Sequence, residues 1–389
     1  MKTLKDFNFK NKRVLVRCDF NVPLNEKGEV ADDFRIKNSI PTIEYLIKKR
    51  AKVILMSHLG NPGGKVAEDL RLNPIQEKLM EYLDLSVTKA PDCVGSEIKK
   101  WISQMKPGEI LLLENLRFHK EEKENDKNFA KELAELGDIF INDAFSVCHR
   151  AHASVVGVPK YLPSGIGFLL EKEIKNLSKI IEKPKKPVVI IIGGAKISTK
   201  AKVIEDFLKK ADHLLLGGKI ANFILIQKGL LIGKIPVALK TEEIVEKLEL
   251  PNPKLHLPVD GIVSLRELKD KENYIKVKAL GQIKRGEDIY DIGPDTLKLF
   301  SKIIKEAKTI FWSGPLGMFE ERFFEKGTKE IAISIAENKK AFKVAGGGET
   351  VLAINRFGLL DKFDHISTGG GAMLEFLTEK KLPGLEVLK

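Results

Sequence analysis

The chain has 389 residues, of which 43% are hydrophobic and 31% charged, a composition typical of a folded globular protein and not of a disordered or fibrous one. Its formal net charge of +12 attracts anions, but the basic residues are interleaved with acidic ones, which disfavours a nucleic-acid-binding surface. No apolar run is long enough to span a membrane, no secretory signal is evident, and three widely spaced cysteines favour a reducing cytoplasm.

Short apolar runs with helical patterns between them predict strands in both halves of the chain. In chain order the runs lie at 14–16, 53–56, 110–113, 139–141, 188–192, 214–216, 309–312 and 342–345, with weaker ones near 262–263 and 366. Runs this short, without strict alternation, are typical of strands covered on both faces. They indicate an α/β fold with parallel sheets and helices on each side.

A break in the pattern lies near the middle of the chain. Leu170, Ile174, Leu177 and Ile181 recur at spacings of four, three and four, which predicts one amphipathic helix. Prolines at 184 and 187 end it, because proline cannot continue a helix. We therefore predict two α/β domains joined by a helix at roughly 170–183.

Ligands of open parallel sheets bind beyond the carboxyl ends of the strands, so the residues there carry the functional argument. In the first half they are polar and mostly charged, namely Arg17, Asp19, Asn21, His58, Asn115, Arg117, Asp143, His149, Arg150 and His152, with Arg35 in a nearby loop. Arginine forks match phosphate and carboxylate groups bidentately. A single arginine is more often part of a surface ion pair, but recurrence at four strand ends predicts a pocket for a small, multiply charged anion.

The strands of the second half end in glycine instead. Glycines follow the runs at 193–194, 217–218, 314, 317, 346–348 and 369–371, and the segment 290–294 is predicted as a further turn. Glycine permits close approach of the backbone to phosphate oxygens, and the helix that follows offers free N–H groups. Such glycines also serve merely to turn tight corners, but their number on one domain favours a nucleotide-phosphate surface, with Lys196 and Lys200 supplying mobile charge.

Several motifs are missing from the sequence. It has no GxxxxGK[ST], which excludes a P-loop enzyme, no GxGxxG, which disfavours a dinucleotide dehydrogenase, and no protein-kinase signature. A nucleotide surface and an anion pocket on separate domains favour phosphoryl transfer between two ligands, a reaction that needs charge and closure more than covalent chemistry.

Eight segments stand in an order that makes a resemblance specific. They are RCDFNVPL, SHLGNP, LLENLRFH, NDAF followed by HRAH, GGAKISTK, WSGPLGMFE, GGGET and STGGGAMLEFL. Along essentially its whole length the chain resembles the phosphoglycerate kinase family. The resemblance implies Mg²⁺-dependent, reversible phosphoryl transfer between ATP and 3-phosphoglycerate, giving ADP and 1,3-bisphosphoglycerate, in a glycolytic monomer that binds neither nucleic acid nor membrane.

The resemblance also implies a domain plan. Two doubly wound, Rossmann-like parallel-sheet domains are expected, joined by an interdomain helix at 170–183. Residues 1–169 would form the phosphoglycerate-binding domain, residues 184–374 the nucleotide-binding domain, and the tail 375–389 would return to the first domain. Placing the two ligands on different domains implies hinge closure, with Gly165, Gly167 and Pro184 as hinge candidates.

Individual residues acquire roles in the same way. Phosphoglycerate would be bound by Asp19, Asn21, Arg35, His58, Asn61, Arg117 and Arg150. The nucleotide would be bound by Gly194, Lys196, Lys200, Gly217, Gly218, Gly293, Glu320, Gly346, Gly347, Gly348, Glu349 and Thr350. The amides of Gly369, Gly370 and Gly371 would face the transferred group, Arg35 and Lys196 would be catalytic, and Glu349 would ligate Mg²⁺. The attacking carboxylate is already ionised, so Asp19 and His58 are expected to orient and not to shuttle protons.

Three positions depart from the family's usual pattern. Asn61 stands where arginine is usual, which removes one charge from the anion pocket unless Lys65 substitutes for it. Ser313 replaces asparagine, and Glu349 replaces aspartate, which lengthens the expected metal ligand by one methylene. These departures leave open a nucleotide sensor that does not turn over. The sequence also leaves open a kinase for a related acid and a basic nucleic-acid-binding protein.

Overall fold

The computed structural model describes residues 1–195, 197–231, 252–265, 274–379 and 381–389. The chain divides into two compact units, the first formed by Met1–Lys175 with Glu379–Lys389 and the second by Asn176–Thr378. The helix Phe168–Ile181 contains the point of division. It begins and ends two residues before the predicted helix, and Leu170 and Leu177 lie on its buried face.

The sheet of the first unit is parallel throughout. Its strands among the described residues are β1 (Arg13–Cys18), β2 (Lys52–Met56), β3 (Val87–Lys89), β4 (Ile110–Leu112), β5 (Ile139–Asp143) and β6 (Ser164–Ile166). They lie in the order β3-β4-β2-β1-β5-β6. The chain leaves β1 towards β2 on one side and later returns to β5 on the other. The ends of β1 and β5 therefore flank the switch point at which ligands bind in such folds.

Helices cover this sheet and pack against the apolar side chains of its strands. The α-helices of the unit are Phe34–Lys48, Asn73–Leu83, Ser96–Gln104, Lys120–Glu124, Lys127–Ala134 and Pro383–Glu386. Single helical turns lie at Leu4–Asp6, Glu68–Leu70, Leu116–Phe118, Phe145–Val147, Ala153–Gly157 and Val158–Lys160. Val14, Leu15 and Val16 are successive residues of β1 and all are fully buried, so both faces of the strand are covered.

The second unit repeats this architecture. Its described parallel strands are β7 (Val188–Ile192), β8 (His213–Leu216), β9 (Leu255–His256), β13 (Thr309–Ser313), β14 (Phe342–Gly346) and β15 (His365–Ser367). Their order is β15-β14-β13-β7-β8-β9, so the switch point lies between β7 and β13. The described helices are Ile197–Lys210, Gly218–Gln227, Pro294–Glu306, Lys326–Glu337, Gly348–Arg356 and Gly371–Glu379, with single turns at Leu280–Gln282, Arg322–Phe324 and Leu360–Lys362. The predicted α/β class with two doubly wound parallel sheets is confirmed.

The segment between β9 and β13 departs from the predictions in two respects. The run near 262–263 is a strand, as predicted, but it belongs to β10 (Asp260–Leu265), which pairs antiparallel, and not parallel, with β11 (Lys276–Ala279) and β12 (Glu287–Ile292) in a separate small sheet. Residues 290–292, predicted as a turn, are the end of β12. Aspartate is common in turns, but Asp291 is a buried strand residue. Its carboxylate is satisfied there by hydrogen bonds from the amides of Gly327 and Ile292.

The helices of the described residues are short or carry charged side chains. Among them, none combines the length and apolar character that a membrane-crossing segment requires.

Candidate functional site

A buried arginine–histidine contact lies at the carboxyl end of β1. Arg17 is paired in register with Met56 of β2, so the next residues of β2's loop, Ser57 and His58, lie beside its guanidinium. Nη2 of Arg17 donates to Nδ1 of His58 over 3.0 Å, and Nε donates to Oγ of Ser154 over 3.0 Å. Sequence analysis placed Arg17 among the strand-end residues of the predicted anion pocket but gave it no individual role, although its position near the carboxyl end of β1 was the available signal.

Burial lowers the pKa of Arg17, and the buried carboxylates of Glu122 and Asp19 oppose this shift. Ser154 donates from Oγ to Oε1 of Glu122 over 2.6 Å and from its amide to Oε2 over 2.9 Å. Nδ1 of His152 lies 3.8 Å from the same Oε1. Sequence analysis did not single out Glu122, which stands in a charged run typical of a solvated helix and gives no sign of burial. Glu122 and Ser154 thus fasten the helix Lys120–Glu124 to the loop after β5.

Asp19, Asn21 and Arg35 form a second group beside the end of β1. Nη1 of Arg35 lies 3.3 Å from Oδ1 of Asp19 and donates to the backbone oxygen of Asn21 over 3.0 Å. Asp19 is fully buried, and its Oδ2 has no hydrogen-bond partner among the described residues. The side chain of Arg35 keeps about a quarter of its surface exposed, at 26%, so its guanidinium is available to a ligand.

Gly60 joins this group to the loop that follows β4. Its amide donates to Oδ1 of Asn21 over 2.8 Å, and its carbonyl accepts from Nη1 of Arg117 over 2.7 Å. Asn115 fixes the neighbouring backbone, since its side-chain amide donates to Leu59 and its Oδ1 accepts from the amides of Leu59 and Arg117. Four of the predicted substrate-binding residues, Asp19, Asn21, Arg35 and Arg117, are thereby connected.

This region of the first unit holds more positively charged side chains than nearby acidic ones. Burial and the nearby charges of Arg150 and Arg17 lower the pKa of Arg117 to about 10. Burial, followed by Arg17, Arg117, Arg35 and His152, holds the pKa of His58 well below its usual value. The lowered pKa values mean that the positively charged forms of these side chains, already penalised by burial, also repel one another. Binding of a multiply charged anion would relieve this repulsion and stabilise the charged forms.

The histidines of the loop after β5 feel the same field. The pKa of His152 falls to about 3, from burial and then from Arg117, Arg150 and Arg17. The pKa of His149 falls to about 4, from burial and the adjacent Arg150, whose Nε lies 3.3 Å from its ring. Nε of Arg117 and Nδ1 of His152 are buried without hydrogen-bond partners among the described residues, which leaves both atoms free to bind a polar ligand.

In the second unit, glycine loops meet at the switch point between β7 and β13. The amide of Gly194 donates to the carbonyl of Pro315 over 2.7 Å, and a Cβ at Gly193 would lie 2.1 Å from that same oxygen. Gly218 has φ +62°, and a Cβ there would lie 2.8 Å from the amide nitrogen of Gly194. A Cβ at Gly217 would collide with Leu316. Close packing against backbone at Gly193 and Gly218, and against the side chain of Leu316 at Gly217, therefore accounts for these glycines independently of any ligand.

The loop after β14 differs, because part of it faces open space. A Cβ at Gly346 would lie 2.4 Å from the sulfur of Met373, so this residue is a packing glycine. Gly347 has φ +99°, and a Cβ at Gly348 would meet nothing within 4 Å. Thr350 is buried and accepts from the amide of Gly314 over 2.6 Å, while Glu349 is exposed in the first turn of its helix.

Gly293 begins a helix whose N-terminus is already satisfied. Asp260 accepts from the amides of Asp295 and Thr296 over 3.0 and 2.8 Å and from the hydroxyl of Thr296. A Cβ at Gly293 would lie 2.2 Å from the Asp260 carboxylate, which explains the glycine. The sequence-based expectation that the helix after each glycine run offers free amides to an anion is therefore wrong at this helix.

The remaining predicted nucleotide residues are spread over the unit. Glu320 is exposed, and its backbone oxygen accepts from Arg356. The amide of Gly369 donates to Oγ of Ser367, and Gly370, with φ +49°, has open space beside it. Gly371 is exposed at the start of its helix. Lys196 lies outside the described residues, and Lys200 belongs to the helix Ile197–Lys210 with its side chain outside the described part.

One group of potential metal ligands was found among the described residues. Oδ1 of Asp92 lies 2.6 Å from Nε2 of His119, and Sγ of Cys93 donates to the backbone oxygen of Glu114 over 2.9 Å. Burial raises the pKa of the Cys93 thiol well above its usual value, so this sulfur is a poor ligand. The three side chains are thus already hydrogen-bonded without a metal. The sequence analysis predicted none of Asp92, Cys93 and His119 as a metal ligand.

Comparison with known proteins decides the family. The family model described as phosphoglycerate kinase matches residues 4–380. Phosphoglycerate kinases of Moorella thermoacetica and Borreliella afzelii are 46% and 48% identical, covering 99% and 100% of this chain and 98% and 99% of theirs. The chain belongs to the phosphoglycerate kinase family.

Solved structures of phosphoglycerate kinases agree with this assignment. The enzyme of Pyrococcus horikoshii OT3 matches with a TM-score of 0.88 at 35% identity, and that of Coxiella burnetii with 0.83 at 38%. Each comparison covers 100% of this chain and 98% of the other. The resemblance read from eight sequence segments is confirmed, and the chain is a kinase, a phosphotransferase, with the phosphoglycerate kinase fold.

Proposed function

We propose that this protein catalyses the reversible transfer of a phosphoryl group between ATP and the carboxylate of 3-phosphoglycerate, giving ADP and 1,3-bisphosphoglycerate, as a cytoplasmic, monomeric glycolytic enzyme. The observation that carries the proposal is the excess of cations around Arg17, His58, Arg117 and Arg150, next to buried polar atoms without partners among the described residues. That surface suits a substrate with one phosphate and one carboxylate group. Three free, buried cysteines are compatible with a reducing compartment.

The acid substrate would be held by charge and geometry. Arg117 and Arg150 supply the guanidinium groups for its phosphate, while Asn21 and His58 orient the chain between phosphate and carboxylate. Gly60 fixes the distance between Asn21 and Arg117, because it is hydrogen-bonded to both. Asn61, the remaining predicted ligand, is exposed at the edge of this group.

The chemical step requires no general base, because the attacking carboxylate is ionised at neutral pH. His58 suits an orienting role, since Nδ1 is occupied by Arg17 and the ring stays neutral. Arg35, tethered to Asp19 and Asn21, would neutralise charge on the transferred group together with Lys196. The amides of Gly369, Gly370 and Gly371 would face the same group.

The nucleotide would lie against the glycine loops of the second unit. Gly194, Gly217 and Gly218 bring three chain segments within backbone contact. Glu349 is a hard oxygen ligand on an exposed helix start beside the open space at Gly348, which fits a magnesium ion that is held by one carboxylate and the nucleotide phosphates. When bound, Mg²⁺ neutralises phosphate charge.

Transfer also requires closure, because the two ligands would bind different units. Gly167 precedes the helix Phe168–Ile181, and a Cβ there would lie 2.2 Å from Oδ1 of Asp143, so the position is restricted to glycine. Gly165 and Pro184 are the other hinge candidates. Small-angle scattering with both ligands and Mg²⁺ should give a smaller radius of gyration than the free protein, and an unchanged radius would contradict closure.

Phosphorus NMR tests the reaction itself. ATP, Mg²⁺ and 3-phosphoglycerate are incubated with the purified protein, and an acyl-phosphate resonance should grow together with ADP. ATP binding without turnover would identify a nucleotide sensor. Turnover with another acid, but not with 3-phosphoglycerate, would identify a different kinase.

A further inference from the structure

A lysine that sequence analysis did not single out lies at the edge of the anion-binding surface. Nζ of Lys123, on the helix Lys120–Glu124, donates to Oδ1 of Asn61 over 3.3 Å. Asn61 follows Gly60, the residue bonded to both Asn21 and Arg117. The ammonium group is therefore attached to the segment that organises the proposed binding site.

The charge of Lys123 affects a buried histidine of the site, His152. It is among the causes of the lowered pKa of His152, after burial and the three arginines Arg117, Arg150 and Arg17. The adjacent Glu122 does not neutralise it, because that carboxylate points inwards and is taken by Ser154. Among the described residues, no carboxylate lies within ion-pair distance of Lys123.

The surroundings of Lys65 are different. Lys65 and Lys120 are also exposed, and they lie on the same loop and the same helix as Asn61 and Lys123 respectively. Neither has a hydrogen bond or an ion pair from its side chain among the described residues, whereas Lys123 is directed towards Asn61. The structure therefore distinguishes Lys123 from the cation that sequence analysis considered as a replacement at this edge.

We infer that Lys123, held by Asn61, is a specificity-determining residue that binds the non-reacting phosphate of the acid substrate and discriminates against acids without that phosphate. The inference rests on the proposed function, since it assigns a further contact to the same site. The phosphate is a dianion at neutral pH, and an exposed ammonium contributes through attraction that salt screens. In this proposal Lys123 contacts neither the reacting carboxylate nor the nucleotide.

The test is the kinetics of Lys123→Gln, with Lys65→Gln and Lys120→Gln as matched controls. We expect the KM for 3-phosphoglycerate to rise roughly two- to fivefold, as for loss of one exposed charge contact, with kcat and the KM for ATP unchanged. The rise should shrink as salt is added. Lys123→Arg should keep the KM near that of the unmodified protein.

A compensating variant separates charge from structure. In the double variant N61K/K123Q the ammonium moves to the other side of the same hydrogen bond, and it should restore most of the lost affinity. The inference is overturned if Lys123→Gln changes the KM by less than about twofold, or if Lys65→Gln or Lys120→Gln raises it equally. Failure of the unmodified protein to form acyl phosphate would instead refute the proposed function.

Discussion

Nη2 of Arg17 donates to Nδ1 of His58 across 3.0 Å, and both side chains are buried. A guanidinium group has donors only, so Nδ1 must accept and the ring proton lies on Nε2. This contact fixes the tautomer of the histidine and, together with burial, keeps its pKa low.

We therefore expect His58 to remain a neutral Nε2–H imidazole between pH 8 and 5. Nitrogen-15 NMR of histidine-labelled protein reports tautomer and protonation directly, with His58→Asn as the control that assigns the signal. Titration of His58 near its ordinary pKa of about 6.5, or a proton on Nδ1, would refute the orienting role.

Arg35 is expected to act on the transition state more than on ATP binding. Arg35→Ala should lower kcat roughly a hundredfold or more, equivalent to about 3 kcal/mol, with little change in the KM for ATP. Arg13→Ala is a suitable control, because Arg13 forms a surface ion pair with Asp138 at the other end of β1. Near-normal turnover of Arg35→Ala would show that the residue is not catalytic. The same substitution at Lys196 tests the second cation.

Asp143 makes the stability of the protein depend on pH. Burial raises the pKa of its carboxyl from 3.8 to about 7, so the folded chain holds a proton that the unfolded chain releases. The bound proton of Asp143 therefore contributes to the free energy of unfolding. This contribution is complete below pH 3.8 and is lost as the pH rises to about 7.

Asp143→Asn removes this proton linkage but keeps an acceptor for the amide of Leu170, which bonds Oδ1 over 3.1 Å. The midpoint of urea unfolding, measured from pH 5 to 8, should fall less with pH in the variant than in the unmodified protein. Parallel curves would mean that Asp143 does not carry the proton.

The glycine at 193 tests whether the nucleotide loops depend on backbone packing. Gly193→Ala would place a methyl group 2.1 Å from the carbonyl oxygen of Pro315, so a loop must move. We expect a loss of about 1–3 kcal/mol in unfolding free energy and weaker ATP binding. Gly281→Ala, where a Cβ meets nothing within 4 Å, should leave both unchanged. Equal behaviour of the two variants would show that the loop tolerates a side chain.

The parallel sheets could be predicted because their strands are covered on both faces and therefore read as unbroken apolar runs, as at Val188–Ile192. The small antiparallel sheet could not, because β11 and much of β12 are exposed or polar. Edge strands of two or three residues, such as Leu255–His256, are too short to give a pattern.

The sequence predicts the chemical type of the site, an anion pocket, but not which side chains are hydrogen-bonded to one another. Strand-end arginines indicate an anion pocket, yet the contact between Arg17 and His58 follows from the register of β1 on β2. Asp260 reaches the helix after Gly293 from a strand more than thirty residues earlier, which no local motif indicates. The roles of individual residues remain predictions.

The central claim is that the acid and the nucleotide bind different units of the chain, and hydrogen–deuterium exchange with each ligand alone tests it most directly. 3-Phosphoglycerate should slow exchange at 19–21, 58–61, 115–118 and 149–152, and ATP with Mg²⁺ should slow it at 193–194, 217–218 and 346–350. Protection of the same unit by both ligands, or of the opposite unit by each, would contradict the claim.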